Sequence, residues 1–277
     1  MNRNDIWPIV LRALEEDIGS GDVTSTSTIP PDRWLEGEFL VKAPGTIAGL
    51  IVVRWVFEAV DKSIEYVPLA DDGVSVVPGG VVARVRGKGP SILTGERVAL
   101  NFLQRMSGIA TMTREYVDAV AGTSARILDT RKTVPGLRAL DKWAVRLGGG
   151  YNHRMGLYDM VLIKDNHIEA AGGISAAVEG VRRCSVLPIE VEVEDLEQFD
   201  EVLALNVDRV MLDNMGLDEL REAVDRAQGR VELEASGGIT LSSVGVVAAT
   251  GVDYISVGAL THSVMALDVS LEVQVLS

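Results

Sequence analysis

The chain carries a single cysteine, Cys184, in 277 residues, so it cannot form an intrachain disulfide. That cysteine lies on an apolar, helix-like stretch and is expected to be a packed small side chain, which makes redox chemistry an unsuitable function class. Hydrophobic runs are also short. None approaches the ~18 apolar residues of a membrane helix, and the opening MNRNDIWPIVLRALEED is charged and amphipathic, without the apolar core of a signal peptide. A soluble, cytoplasmic protein is the expectation. Basic charge is scarce, with 26 Lys and Arg against 40 Asp and Glu and a net charge of −14. Nucleic acid and anionic membranes are therefore poor partners, because their phosphates would be repelled over most of the surface. The three histidines, His153, His167 and His262, show no close spacing and have no second cysteine to join them, so no zinc site is expected.

What is present is a chain 47% hydrophobic and 24% charged, long enough to bury one large core or two smaller ones. Its charge is unevenly spread. Between Arg126 and Asn166 stand eight basic residues (Arg126, Arg131, Lys132, Arg138, Lys142, Arg146, Arg154, Lys164) and four acidic ones (Asp129, Asp141, Asp159, Asp165). That segment is +4 and the remainder −18. A basic island in an acidic protein fits a pocket for a small anionic substrate. A solvated face of salt bridges fits the same charges, and charge alone leaves both readings open.

Short runs rich in β-branched residues recur through the second half: residues 125–130, 160–166, 188–195, 209–214, 230–236 and 254–259. Most gaps between them, such as LEQFDEVLALN and LDELREAVDRAQ, place apolar residues three to four apart, as amphipathic helices do. Alternating strand and helix at this spacing predicts parallel βα units, most economically an incomplete barrel of about six or seven of them. An open doubly wound sheet is the alternative, and no G-x-G-x-x-G follows the first strand to favour its dinucleotide-binding form.

The strand ends carry complementary chemistry. In order they offer Arg131 and Lys132, Lys164, Glu192 or Glu194, Asp213, Ser236 with Gly237 and Gly238, and Gly258. Active sites of βα barrels are assembled at that end from several strands at once. Glu190, Glu192 and Glu194 alternate and share one face, so only those near the mouth can reach a ligand, and an unpaired carboxylate deeper down would be costly. ASGGIT and SVGALTHS each place glycine between a strand and a helix, where backbone N–H groups can approach a phosphate.

The first half differs in kind. Glycine-punctuated strands, EGEFLVKAPGTIAGLIV and DDGVSVVPGGVVARVRG, flank a helix-like RWVFEAVD, and an amphipathic helix precedes them. These predict an N-terminal α+β sandwich domain over 1–110, a barrel domain over 111–265 and a tail over 266–277 whose alternation suits a strand packing back on the first domain. Two helical stretches, GERVALNFLQRM and IATMTREYVDAVA, are expected to lead into the barrel.

Taken together, EDIGSGDVTS, GERVALNFLQRMSGIAT, DTRKTVPGLR, DKWAVRLGGGYNHRMGLYDMVLIKDNHI, IEVEVEDLEQ, LDNM, EASGGIT and SVGALTHS resemble the quinolinate phosphoribosyltransferases, in order and across most of the chain. Val98 and Val134 stand where many members have Thr, beside the charged positions without replacing them. The resemblance implies transfer of phosphoribosyl from phosphoribosyl pyrophosphate to quinolinate with decarboxylation, giving nicotinate mononucleotide, pyrophosphate and carbon dioxide, with magnesium required. It implies that Arg131, His153, Arg154 and Lys164 hold quinolinate, with Arg97 reaching in from the neighbouring subunit of a homodimer or larger assembly. It implies Lys132 and Lys164 for the phosphates of phosphoribosyl pyrophosphate. Ser236, Gly237, Gly238, Gly258, Ala259 and His262 would surround its 5′-phosphate. Glu192 and Asp213 would receive the ribose hydroxyls and hydrated magnesium, and together with Lys164 they are the expected catalytic residues. His167, at the start of a helix, is expected to be structural. A non-decarboxylating phosphoribosyltransferase and a non-catalytic metabolite-binding barrel are the two alternatives.

Overall fold

The structure, a computed structural model, describes residues 2–276, which separate into two compact units. One comprises residues up to Arg114 together with Thr133–Gly149 and the chain from Thr261 onward; the other comprises Glu115–Lys132 and Gly150–Leu260.

The first unit is an antiparallel sheet covered by helices. Its strands are β1 (Trp34–Val41), β3 (Glu65–Pro68), β5 (Val81–Lys88) and β12 (Val269–Val275), in the order β12-β1-β5-β3. A separate two-stranded ribbon pairs β2 (Gly45–Thr46) with β4 (Ser75–Val76). Alternation along β1 turns Leu35, Phe39 and Val41 inward. Phe39 meets Phe57 of helix Leu50–Val60 edge-on at 6.1 Å between ring centroids. Helix Arg3–Ile18, capped by the Asn2 side chain, packs on the same helix and buries Ile6, Val10 and Leu14, four residues apart on one stripe. The C-terminal strand pairs along the whole of β1 from Leu35↔Val275 to Val41↔Val269.

Two helices were expected between residues 95 and 120, and the structure has one, Gly89–Ala119. Gly108 stands inside it, and the Met265 carbonyl occupies the place a Cβ there would take. The glycine there serves close packing and does not break the helix. Helix Arg138–Leu147 also belongs to this unit, tied down by Arg105, whose Nε and Nη2 donate to Oδ1 and Oδ2 of the fully buried Asp141 at 3.0 and 2.8 Å. The basic island is thus divided, since Arg138, Lys142 and Arg146 fold with the first unit.

The second unit is the incomplete α/β barrel. Six parallel strands, β6 (Arg126–Leu128), β7 (Val161–Ile163), β8 (Ile189–Val193), β9 (Arg209–Asp213), β10 (Glu232–Ser236) and β11 (Tyr254–Ser256), stand in the order β6-β11-β10-β9-β8-β7. Each coincides with one of the six β-branched runs. β6 pairs with the last strand, β11, and an isolated parallel bridge joins Leu128 to Tyr151 on its other side. Central strands such as β9 are buried on both faces, as parallel strands under helices must be, with Val210, Met211 and Leu212 all in the core. Helix Leu196–Ala204, capped by Asp195, places Phe199 and Val202 there without exposure.

Candidate active site

The C-terminal ends of the barrel strands surround a cavity of about 400 Å³. Its cationic wall begins at β6. Just past that strand, the fully buried Asp129 accepts the His153 backbone N–H at 2.8 Å and the Asn152 side-chain amide at 2.5 Å. The Tyr151 N–H donates to the Ile127 carbonyl at 2.8 Å, and the Asp129 N–H to the Tyr151 carbonyl at 3.1 Å. The glycine-rich connection after residue 148 is thereby gripped along β6, and it delivers His153 and Arg154 to the cavity. Arg154 donates through Nη1 to the Met160 carbonyl at 3.2 Å. Burial, and then the charge of Arg131, pull its guanidinium below the ordinary arginine range, against the opposing pull of Glu190 and Asp159. Two guanidinium groups held close enough to repel are arranged for an anion to join them.

Lys164 follows β7 and starts helix Asp165–Ala171; its N–H donates to Nδ1 of His167 at 3.0 Å, so His167 caps that helix. The Lys164 ammonium pairs with Glu192 at the mouth of β8. Glu192 lines the cavity, whereas Glu194 is exposed beyond the strand and its N–H bonds to the Gln198 side chain at 3.0 Å. On β9, Asp213 accepts from the Asn214 side chain at 2.7 Å. Gly237 follows Ser236 of β10 at φ 97°, and the Asn214 side-chain oxygen occupies the place a Cβ would take. Any other residue would be strained there and would displace Asn214. Gly238, at φ 60°, has open space around it.

Beneath the mouth lies a layer of charge. Glu190 and Glu234 are fully buried, and the Nε2 atom of His153 stands 2.9 Å from Glu190 and 3.5 Å from Glu234. Among the described residues, these three form the one group of His, Cys, Asp and Glu whose ligand atoms lie mutually within 4.8 Å. Burial pushes Glu190 up to about 7, with Arg209 opposing; burial and then the charge of Glu190 push Glu234 up to about 8. The cost of deep carboxylates is met by protonation and by Arg209 from below, 3.4 Å from Glu234.

Arg131, Lys132, His153, Arg154, Lys164, Glu192, Asp213 and Ser236 are therefore brought to one cavity. Gly237, Gly238, Gly258 and Ala259 follow the strands that line it without forming its wall. Arg97 lies on helix Gly89–Ala119 and His262 beside Ser263, both in the first unit. Thr130, Leu162, Met211, Glu234 and Ser256 line the cavity and escaped the sequence reading. Counting back by two from Ser236 or Asp213 would have found Glu234 and Met211.

This arrangement has close counterparts. The family model for the quinolinate phosphoribosyl transferase N-terminal domain matches residues 22–107, and that for the C-terminal domain matches 109–272. The chain belongs to the quinolinate phosphoribosyltransferase family. A Bacillus subtilis protein named as a probable carboxylating nicotinate-nucleotide pyrophosphorylase is 44% identical, over 99% of this chain and 95% of its own length. A decarboxylating quinolinate phosphoribosyltransferase of Nicotiana tabacum is 47% identical, over 97% of this chain and 82% of its own. The crystal structure of NadC from Streptococcus pyogenes superposes with a TM-score of 0.96 at 38% identity, covering 100% of this chain and 99% of that one. Both domains of the family are thus present in its order.

Proposed function

We propose that this chain joins quinolinate to the phosphoribosyl group of phosphoribosyl pyrophosphate and releases pyrophosphate and carbon dioxide, leaving nicotinate mononucleotide. The observation that carries the reading is one cavity lined by the cations Arg131, Lys132, Arg154 and Lys164 together with the carboxylates Glu192 and Asp213. A dicarboxylate and a polyphosphate need the first set; a ribose needs the second.

Arg131 and Arg154 hold the quinolinate carboxylates, with a planar fork that can grip a carboxylate through two hydrogen bonds. Lys132 and Lys164 face the phosphates. Lys164 leaves its pairing with Glu192 as the anions enter, which frees Glu192 to accept from a ribose hydroxyl. Ser236 and the turn through Gly237 and Gly238 receive the 5′-phosphate, with Gly258, Ala259 and His262 completing that cradle. Magnesium belongs to the same reading, because Glu192 and Asp213 offer the hard oxygen donors it prefers. When bound it would neutralise pyrophosphate charge. Arg97 is assigned to the partner subunit's quinolinate pocket in a cytoplasmic homodimer, to be tested by light scattering and by mixing inactive Arg97 and Lys164 variants to restore activity.

In the reaction the bond between the ribose C1′ and pyrophosphate breaks, and its electron pair leaves with pyrophosphate. The quinolinate nitrogen forms a bond to C1′, and the arginines fix the ring so that the nitrogen faces that carbon. The adjacent carboxylate then departs as carbon dioxide; its electrons remain on the ring carbon, which the pyridinium stabilises until a solvent proton replaces the lost group. Positioning and fixed charge supply the rate enhancement. Radiolabelled quinolinate, phosphoribosyl pyrophosphate and magnesium should yield labelled carbon dioxide and pyrophosphate with purified protein, and a chain that yields neither is not this enzyme.

A further inference from the structure

His153 lines the cavity and at the same time reaches into the barrel interior beneath it. Its side chain is only 6% exposed, with Nδ1 hydrogen-bonded and Nε2 set beside two buried carboxyls. The Arg154 backbone N–H donates to Nδ1 at 2.7 Å, so Nδ1 is an acceptor and the ring proton resides on Nε2. Nε2 lies within ion-pair distance of both buried carboxyls, 2.9 Å from Glu190 and 3.5 Å from Glu234. The ring therefore joins the backbone of Arg154 to the two buried carboxyls.

The carboxyls are held from below. Arg209 opens β9, in register with Glu190 on β8 and Glu232 on β10. Its Nη1 stands 3.4 Å from Glu234 and its Nη2 donates to Glu232 at 3.0 Å. The guanidinium lies over the Tyr254 ring at 4.0 Å, and the Tyr254 hydroxyl donates to Glu232 at 3.0 Å. With strand residues rising ~3.3 Å each, Arg209 starts about 13 Å below Asp213 at the mouth, too far to touch a substrate there. A column of contacts thus runs from the barrel floor to the quinolinate cations: Arg209, the carboxyl pair, His153, Arg154.

Resting on the function proposed above, we infer that Arg209, Glu190 and Glu234 are positioning residues, which fix the His153 ring and through it set Arg154 for the quinolinate carboxylates. Three ligand atoms within 4.8 Å could also hold a metal ion. The fixed charge of Arg209 beside the same carboxyls already supplies the cation, so the column needs no metal.

The test is quinolinate binding measured by calorimetry on the whole protein, with pyrophosphate as the control anion. Arg209→Met should weaken quinolinate about tenfold and move pyrophosphate less than twofold, and Arg209→Lys should restore affinity to within threefold. Glu234→Gln keeps the shape and removes the carboxyl that His153 and Arg209 share; it should repeat the selective loss if Arg209→Met does not fold. In both variants the Michaelis constant for quinolinate should rise while that for phosphoribosyl pyrophosphate stays within twofold. Equal weakening of both anions, unchanged quinolinate affinity, or no quinolinate binding by the unaltered protein would overturn the inference. So would one divalent ion per chain that survives dialysis against chelator and is lost in Glu234→Gln. Quinolinate binding without turnover would remove the proposed reaction and leave the column's role to be decided by the same titrations.

Discussion

Replacing Arg154 with Met tests the anion pocket where the structure is most explicit. Arg154 is partly buried beside a second guanidinium, Arg131, and both effects hold its charge at a cost in the unliganded protein. Its one direct side-chain bond to the barrel unit is the 3.2 Å contact to the Met160 carbonyl. Removing the charge should therefore leave the empty protein as stable as before or more so. Binding should suffer instead. Hydrogen bonds to charged groups contribute about 1.5–3 kcal/mol each, and a forked pair sits toward the upper end, so a loss of about 2–4 kcal/mol is expected. That corresponds to a fall of roughly 30- to 1000-fold in kcat/KM for quinolinate, at about 1.4 kcal/mol for each factor of ten. Steady-state release of labelled carbon dioxide measures this, with the KM for phosphoribosyl pyrophosphate expected within about threefold and the thermal midpoint followed in parallel. Lys in place of Arg should fall between, because it keeps the charge and loses the fork. A Met variant within threefold of the original kcat/KM, or one much less stable when empty, would refute the reasoning.

Lys164→Gln should lower kcat more than it raises the quinolinate KM, since Lys164 lies between the two substrates; single-turnover and steady-state assays separate the two effects. Gly237→Ala should raise the KM for phosphoribosyl pyrophosphate at least tenfold, because the Ala must adopt φ 97° and push aside the Asn214 side chain that bonds to Asp213. Glu234 makes stability depend on pH. Its carboxyl, pushed up to about 8 from an ordinary value near 4.5, binds a proton in the folded state across a range where the unfolded chain has released it. Stability from this group is therefore present below about pH 4.5 and lost as pH rises through about 8, so the thermal midpoint should fall between pH 5.5 and 8.5, and Glu234→Gln should flatten the curve.

Local patterns in the sequence located the barrel strands because each βα unit announces itself in a short window. ILDT, VLIKDN and VMLDN are runs of core residues ending in a polar one, and those ends became the cavity wall. What depends on distant partners was not legible. Nothing local says that β6 pairs with β11 at the far end of the sheet. The charge of the basic island did not divide by sequence, because Arg105, 36 residues before Asp141, holds that residue and its helix in the other unit. The alternation of Glu190 with Glu192 showed a shared face and could not show depth. Depth follows from the strand register, which sets Glu190 opposite Arg209 and Glu192 opposite Met211. The resemblance places His153 with the quinolinate ligands, and it lines the cavity; its proximity to the buried Glu190 and Glu234 could not be read from the sequence. GERVALNFLQRM and IATMTREYVDAVA read as two stretches but form one long helix, and the Met265 carbonyl that requires glycine at 108 is invisible in the local sequence.

If one cavity couples phosphoribosyl transfer to loss of a carboxylate, carbon dioxide and pyrophosphate must form together. The most direct measurement follows carbon dioxide and pyrophosphate together in a single reaction mixture containing the purified protein, quinolinate, phosphoribosyl pyrophosphate and magnesium. The two products should appear in equal amounts from the first turnover onward, and both should fall in step in Lys164→Gln. Pyrophosphate released without carbon dioxide would contradict the account.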